Sequence, residues 1–279
     1  MDPTYAAAQI LRVLPRERIT RAVGRLCDAR LHPRIASAVV SLYSRAYRVD
    51  LAEALLPDGG FSSFDAFFTR PLREGLRPVC AEEGALASPA DGRVASLGPV
   101  EPNGTFRVKG QDYTVEDLVG DREDAKRYEG GQFMIVYLSP RDYHRVHSPA
   151  AGQIPLVRSF PGDLFPVNSS GERHIPRLFA RNRRVAICID TEKQGRVTVV
   201  MVGAMIVGRI TVAGIDERDV SYGDHRFNPP RQIVRGEEIG MFHLGSTAVV
   251  FIEKDVARPW GVEVGPIRVG ESLHGARAR

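Results

Sequence analysis

Tryptophan occurs once in the 279 residues and cysteine three times, at Cys27, Cys80 and Cys188. The cysteine count is odd and no two form a C-x-x-C pair. That argues against a disulfide framework and against a cysteine-based zinc cluster, and it favours a reducing compartment. No apolar run approaches the ~20 residues of a bilayer span, so no transmembrane helix is expected. Nothing near the start reads as a signal peptide. Lysine is missing from the first 50 residues, where nine arginines stand against four acids. No DNA- or RNA-binding motif accompanies those arginines, so a nucleic-acid partner is not expected. A hydrophobic content of 43% with a net charge of only +4 suffices for a full core.

Apolar residues in the first 50 positions recur at steps of three and four, the period of an amphipathic helix. They are Ala6, Ile10, Leu11 and Leu14, then Ile19, Val23 and Leu26, then Ile35, Val39, Leu42 and Ala46. Pro15 and Pro33 divide the stretch into about three short helices. Composition alone favours packing of the apolar face on the rest of the protein, with the arginines in solvent. Docking on an anionic membrane surface is the alternative. A connector at 57–80 is punctuated by Pro and Gly around Phe64, Phe67 and Phe68. From residue 85 onward the pattern turns to strands, expected at 92–97, 104–109, 133–138, 152–158, 185–190, 197–202, 204–213, 239–243 and 247–253. The expected fold class is α+β, a β-rich body preceded by a helical arm. Ser88-Pro89-Ala90-Asp91-Gly92-Arg93-Val94 returns sixty positions later as Ser148-Pro149-Ala150-Ala151-Gly152-Gln153-Ile154. This is either a chance match of two turns or the mark of a sheet built from related halves.

Three polar residues could form a nucleophilic relay: Asp91, His147 and Ser246. Each also has an ordinary reading. An aspartate in a Pro-Ala-Asp-Gly turn usually bonds the backbone. Ser139-Pro140-Arg141-Asp142 has the composition of a helix start. That would place His144 and His147 on one face of a short helix ended by Pro149. Paired histidines there are open to metal ligation, to ordinary packing and to proton transfer. For metal ligation no Glu lies between them as in H-E-x-x-H, and no third ligand is evident. Ser246 follows Gly245 inside an apolar run, as a small turn residue or as a nucleophile. A hydroxyl attacks well only after a base takes its proton. The preceding glycine widens the backbone conformations open to it, and a strained peptide beside an activated hydroxyl can shift from amide to ester. Elimination and hydrolysis of that ester would leave a pyruvoyl ketone, which can condense with an amine and act as an electron sink.

Six segments in order resemble the bacterial phosphatidylserine decarboxylase proenzymes: FFTRPLREGLRPV (67–79), SPADGRV (88–94), YLSPRDYHRVHSP (137–149), GDLFPVN (162–168), VGAMIVGRI (202–210) and GEEIGMFHLGSTAVVFIE (236–253). The resemblance covers nearly the whole chain, and the Leu-Gly-Ser-Thr form is like that of proteobacterial-type members. It implies decarboxylation of phosphatidylserine to phosphatidylethanolamine by a covalent pyruvoyl group, without metal. That group would derive from Ser246 after autocatalytic cleavage at Gly245–Ser246, giving a β subunit of residues 1–245 and an α subunit of residues 246–279. Asp91, His147 and Ser246 match the autocatalytic triad, with Asp orienting His and His deprotonating Ser. His144 matches a second histidine of the decarboxylation step, expected as the proton donor. Phe165 and Val167 match a pocket-lining segment. The resemblance also implies a membrane-associating region at 1–56, a catalytic domain at 57–279, and a homodimer. Attachment is expected to be peripheral, on the cytoplasmic face of the cytoplasmic membrane, which makes membrane docking the favoured reading of the arm. One departure is Asn182-Arg183-Arg184-Val185, where the family usually has Asn-Glu-Arg-Val. Arg183 reverses a charge and puts any local ion pair there in doubt. Two rival classes remain. A lipoyl- or biotinyl-type carrier would explain the duplicated turn, but neither Lys109 nor Lys126 sits in a carrier setting. A zinc hydrolase would use His144 and His147.

Overall fold

The central strands carry apolar residues at almost every position because both of their faces are covered. In β12 (Ser246–Ile252) all seven residues are buried. Ala248, Val250 and Ile252 enter one apolar cluster, and Val249 and Phe251 enter another on the opposite face. Strands β4 (Gln132–Leu138), β7 (Arg184–Asp190) and β8 (Arg196–Val202) alternate in the same way. The computed structural model describes residues 16–167, 174–204, 209–243, 246–256 and 258–274.

These strands lie in an eight-stranded antiparallel sheet of order β10-β6-β7-β8-β12-β4-β1-β13. Its outer members are β1 (Gly92–Pro99), β6 (Gly152–Phe160), β10 (Gly223–Ile233) and β13 (Gly265–Ile267). One face is covered by a three-stranded sheet of β5 (Arg145–His147), β11 (Glu238–Phe242) and β9 (Ile210–Val212). The other face is covered by the hairpin of β2 (Thr105–Val108) and β3 (Gln111–Thr114) and by short helices at Val115–Val119, Arg122–Lys126 and Leu178–Arg181.

The large sheet is two copies of a four-stranded unit, β13-β1-β4-β12 and β10-β6-β7-β8, which meet where β12 pairs with β8. The repeated sequence turn opens the equivalent strand in each. Ser88 Oγ donates to Ala90 O at 3.0 Å and Ser148 Oγ to Ala150 O at 2.6 Å. Ser88 N donates to Glu271 O and its carbonyl accepts from Gly270 N, while Ser148 does the same with Glu237 and Gly236. Gly92 pairs with Ile267, and Gly152 with Ile233. The two turns also bond each other, through Ala87 N to Pro149 O at 2.9 Å and His147 N to Pro89 O at 2.8 Å. The echo in the sequence is therefore a duplicated structural unit.

The arm begins its helices where the prolines place them: α1 at Arg16–Asp28 and α2 at Pro33–Tyr47. Residues 1–15 lie outside the described residues. A third helix, α3 (Phe64–Phe68), is capped by Ser63, whose Oγ accepts from Ala66 N. Helix α2 buries Ala36, Val40 and Ser44 and sets Tyr43 edge-on against Phe64 and Phe67. The stripe that the sequence marked as apolar points outward instead, with Ile35 55% and Leu42 72% exposed.

The expected strand 104–109 forms as β2, one arm of a hairpin that turns at Lys109-Gly110, a pair with positive φ. Of the expected strand 204–213, residues 205–208 lie outside the described residues and Ile210–Val212 forms β9. The helix expected from Ser139 does not form. A single turn forms in its place: Ser139 N and Oγ both donate to Asp142 Oδ2 at 2.7 Å, and Asp142 N closes on Ser139 O. Too few residues remain before Pro149 to repay helix nucleation, and the open edge of β11 takes Arg145–His147 as a strand.

Candidate active site

Three segments converge at one end of the large sheet. Ser246 opens β12 and pairs with Leu138 at the end of β4. Gly92 lies on the other side of Leu138, so close that a Cβ there would stand 2.2 Å from Tyr137 O and 3.4 Å from Leu138 Cα. Only glycine lets the Asp91 turn approach β4 this way. With strands ~4.8 Å apart, two strand spacings put Ser246 and Gly92 roughly 10 Å apart along the sheet. His147 joins them through its backbone bond to Pro89 in the same turn.

The side chains of Asp91 and His147 are held tightly, but by other groups and not by each other or by Ser246. Asp91 accepts from Arg77 Nε at 2.9 Å and from Val269 N at 2.8 Å, and Arg77 also donates to Glu53 at 2.7 Å. His147 Nδ1 donates to Gly236 O at 2.8 Å, which leaves its Nε2 lone pair to accept from the Tyr143 hydroxyl at 3.1 Å. Burial pushes the His147 pKa down, while the Gly236 bond and the charges of Glu238 and Asp91 pull it partly back. The ring is thus neutral near pH 7, as a base must be. The carboxylate acts on the imidazole through space. The orienting bond expected from Asp91 comes from the Gly236 carbonyl.

His144 is fully buried, its ring tilted against Phe68 at 4.1 Å between ring centroids. Its Nδ1 donates to Asp142 O at 2.7 Å, and burial drives its pKa down to about 3. In strand β5 and the turn before it, His144 and His147 do not share a helix face. Among the described residues no three His, Cys, Asp or Glu side chains gather as a metal site.

Buried polar groups are almost always hydrogen-bonded, and those that are not mark strain or chemistry. Ser246 Oγ, Thr247 Oγ1 and His144 Nε2 are buried at this sheet end without any partner. Gly245, the other half of the expected cleavage bond, lies outside the described residues. Strand alternation places Ser246 on the face of Ala248 and Val250. Phe165 and Val167 are buried in the cluster of the opposite face, with Phe165 clasped by the Asn182 amide at 2.8 and 3.0 Å. The expected pocket residues are thus not brought against Ser246. Arg183, the reversed charge, finds Asp219 at 2.7 Å.

Arg77, Tyr143 and Gly236 escaped the sequence reading as site residues, although all three fall within the quoted motifs. Arg70 of the first motif is also buried, and its guanidinium donates to the Arg141 carbonyl at 3.0 Å under the 139–142 turn. A cavity of about 320 Å³ opens against Asp91, lined by Arg48, Arg70, Arg77, Arg141, Tyr143 and Arg268 among others.

A profile of the phosphatidylserine decarboxylase family matches residues 64–275. The chain is 40% identical to a phosphatidylserine decarboxylase proenzyme of Pseudomonas aeruginosa, over 98% of this chain and 96% of that one. It is also 40% identical to one of Bordetella pertussis, covering 98% and 94%, and 38% identical to one of Azotobacter vinelandii, covering 94% of each.

Proposed function

Since the chain belongs to the phosphatidylserine decarboxylase family, we propose that it decarboxylates phosphatidylserine to phosphatidylethanolamine with a pyruvoyl group made from its own Ser246. The observation that carries this reading is the Ser246 hydroxyl, buried and free of any hydrogen bond, at the sheet end where the turn that bonds the neutral His147 also lies. A hydroxyl engaged by the backbone would have to be released before it could react.

In maturation His147 Nε2 takes the Ser246 proton, and Tyr143 gives up its hold on that nitrogen. The oxygen attacks the Gly245 carbonyl carbon, the peptide C–N bond breaks, and an ester joins the two halves. Loss of the Ser246 Cα proton with cleavage of the Cβ–O bond frees residues 1–245 as a carboxylate. Water then replaces the nitrogen, which leaves as ammonia, and a ketone remains at residue 246. Asp91, fixed by Arg77, favours the charged imidazolium that forms on His147.

The ketone supplies a carbonyl that condenses with the substrate amine and draws in electrons as carbon dioxide departs. Around it the chain excludes water, which favours loss of a localised carboxylate charge. His144 presents a bare Nε2, so it starts as a proton acceptor. The donor role expected for it requires that it first gain a proton, against the burial that opposes its charge.

The arm fits a peripheral membrane site. Among the described residues no helix is long and apolar enough to cross a bilayer. Ile35, Val39 and Leu42 form an outward stripe flanked by the exposed Arg34 and Arg45, the arrangement that lets apolar residues dip between head groups while arginines meet their phosphates. An Ile35→Gln, Leu42→Gln variant should bind anionic vesicles more weakly, and unchanged binding in a sedimentation assay would remove the arm from that role.

Ser246→Ala should remain one chain and form no phosphatidylethanolamine. Decarboxylation by that variant would end the pyruvoyl reading.

A further inference from the structure

His243 directly follows β11 and precedes Gly245 by two residues. It is 3% exposed, and both of its ring nitrogens are engaged. Nδ1 lies 2.9 and 3.1 Å from the two oxygens of Asp65, and Nε2 lies 2.7 Å from Thr211 Oγ1. The surroundings fix where the hydrogens are. Asp65 also receives Arg218 at 2.7 Å and Arg209 at 3.4 Å. Burial alone would raise its pKa, but His243 and the two arginines outweigh burial and hold it below the ordinary value. Asp65 is therefore a carboxylate and can only accept, so Nδ1 carries a hydrogen. Thr211 Oγ1 stands 2.5 Å from the Arg218 carbonyl oxygen. Two oxygens that close have a hydrogen between them, and the carbonyl has none to give. The single hydroxyl hydrogen of Thr211 is thus spent there, and toward His243 the oxygen can only accept. Nε2 must carry a hydrogen as well.

We infer that His243 is a buried imidazolium, clamped between Asp65 and Thr211, and that it is a positioning residue for self-cleavage at Gly245–Ser246. This rests on the maturation reading above. The charged groups that face it are Asp65 of α3, Arg209 and Arg218 on either side of β9, and Asp28 of α1, which binds both arginines. His243 N also donates to Arg209 O at 3.2 Å. On the far side of the bond, Ser246 is held in the ladder to Leu138 and Thr247 in the ladder to Val202. Two residues separate these anchors. An attack within one chain is accelerated when the groups that flank it are held in place, and His243 and Ser246 are the held residues on the two sides of the cleavage bond. The same cluster joins the arm to the cleavage segment through Asp28.

The test follows cleavage of freshly made precursor on denaturing gels for the wild type, His243→Gln and His243→Lys. The Gln variant should slow cleavage by the order of 10- to 100-fold. The Lys variant returns a cation to Asp65 and should recover most of the rate. Turnover counted per cleaved chain should follow the wild type in both. Wild-type cleavage by the Gln variant, or a Lys variant no faster than Gln, would overturn the inference. Should the Gln variant fold poorly, nitrogen NMR of histidine-labelled Ser246→Ala precursor decides the charge. Both His243 ring nitrogens should be protonated at neutral pH, and one bare nitrogen would refute the clamp. A wild-type chain that never cleaves would instead refute the maturation reading, and the NMR result would still judge His243.

Discussion

The turns Ser88–Gly92 and Ser148–Gly152 share their serine bond, their glycine and their backbone partners, yet only the first carries an acid at its fourth position and only the second is preceded by histidine. Asp91 corresponds to Ala151, and His147 to Ala87. The shared part is what the fold needs: a buried serine to close the turn and a glycine that lets the strand start against its neighbour. The part that differs is what the reaction needs. Because the two turns bond each other, the acid of one copy and the base of the other arrive at the same sheet end as Ser246. A duplicated scaffold thus brings together chemistry that neither copy holds alone.

The histidines are the second copy's contribution, and they should be costly in acid. The pKa of His144 in the folded chain lies near 3, below the ~6.5 of an unfolded histidine. A depressed histidine keeps its full stability above the unfolded value and loses it as pH falls. Unfolding free energy should therefore decline from pH 6.5 downward, by up to about 5 kcal/mol from His144. His144→Gln should flatten that slope in denaturant titrations, with His147 supplying the remainder. An unchanged slope would mean that His144 is not held neutral. The glycines should behave as a matched pair. A Cβ on Gly92 would meet Tyr137 O at 2.2 Å, and one on Gly152 would meet Asp190 O at 2.3 Å. Gly92→Ala and Gly152→Ala should each destabilise by about 3 kcal/mol, measured on the uncleaved Ser246→Ala background. Unequal losses would break the equivalence of the halves. The smallest effect belongs to the serines: Ser88→Ala and Ser148→Ala should each cost about 1 kcal/mol in the same assay.

The sequence made the central sheet legible where strands are buried on both faces. Strands β4, β8 and β12 read as apolar runs, and the structure places each within a residue or two. Strand β10 was hidden because Pro229 and Pro230 interrupt it, which an edge strand tolerates where a central one would not. Strand β5 was hidden behind the helix-start signal at Ser139, which closed one turn and stopped. Strand β13 has three residues, too few to show a period. The turn echo was visible, but its partners at Gly236 and Gly270 were not, since they come in the opposite chain order. In the arm, the period of α2 was right, and the inward packing that composition alone favours for its apolar stripe is not what the structure shows. Ala36, Val40 and Tyr43 pack inward while Ile35 and Leu42 stay outside, which periodicity alone does not distinguish. At the site, Asp91, His147 and Ser246 could be named from motifs. The bonds of Arg77 to Asp91 and of Gly236 to His147 span separations of 14 and 89 positions, and no local pattern announces them.

The account depends on Ser246 cutting the chain before it. Intact-mass measurement of the purified protein under denaturing conditions tests this most directly. Two polypeptides are predicted, residues 1–245 and 246–279, the shorter one lighter by one ammonia than a peptide that starts with serine. A single uncut chain of 279 residues that still decarboxylates phosphatidylserine would contradict it.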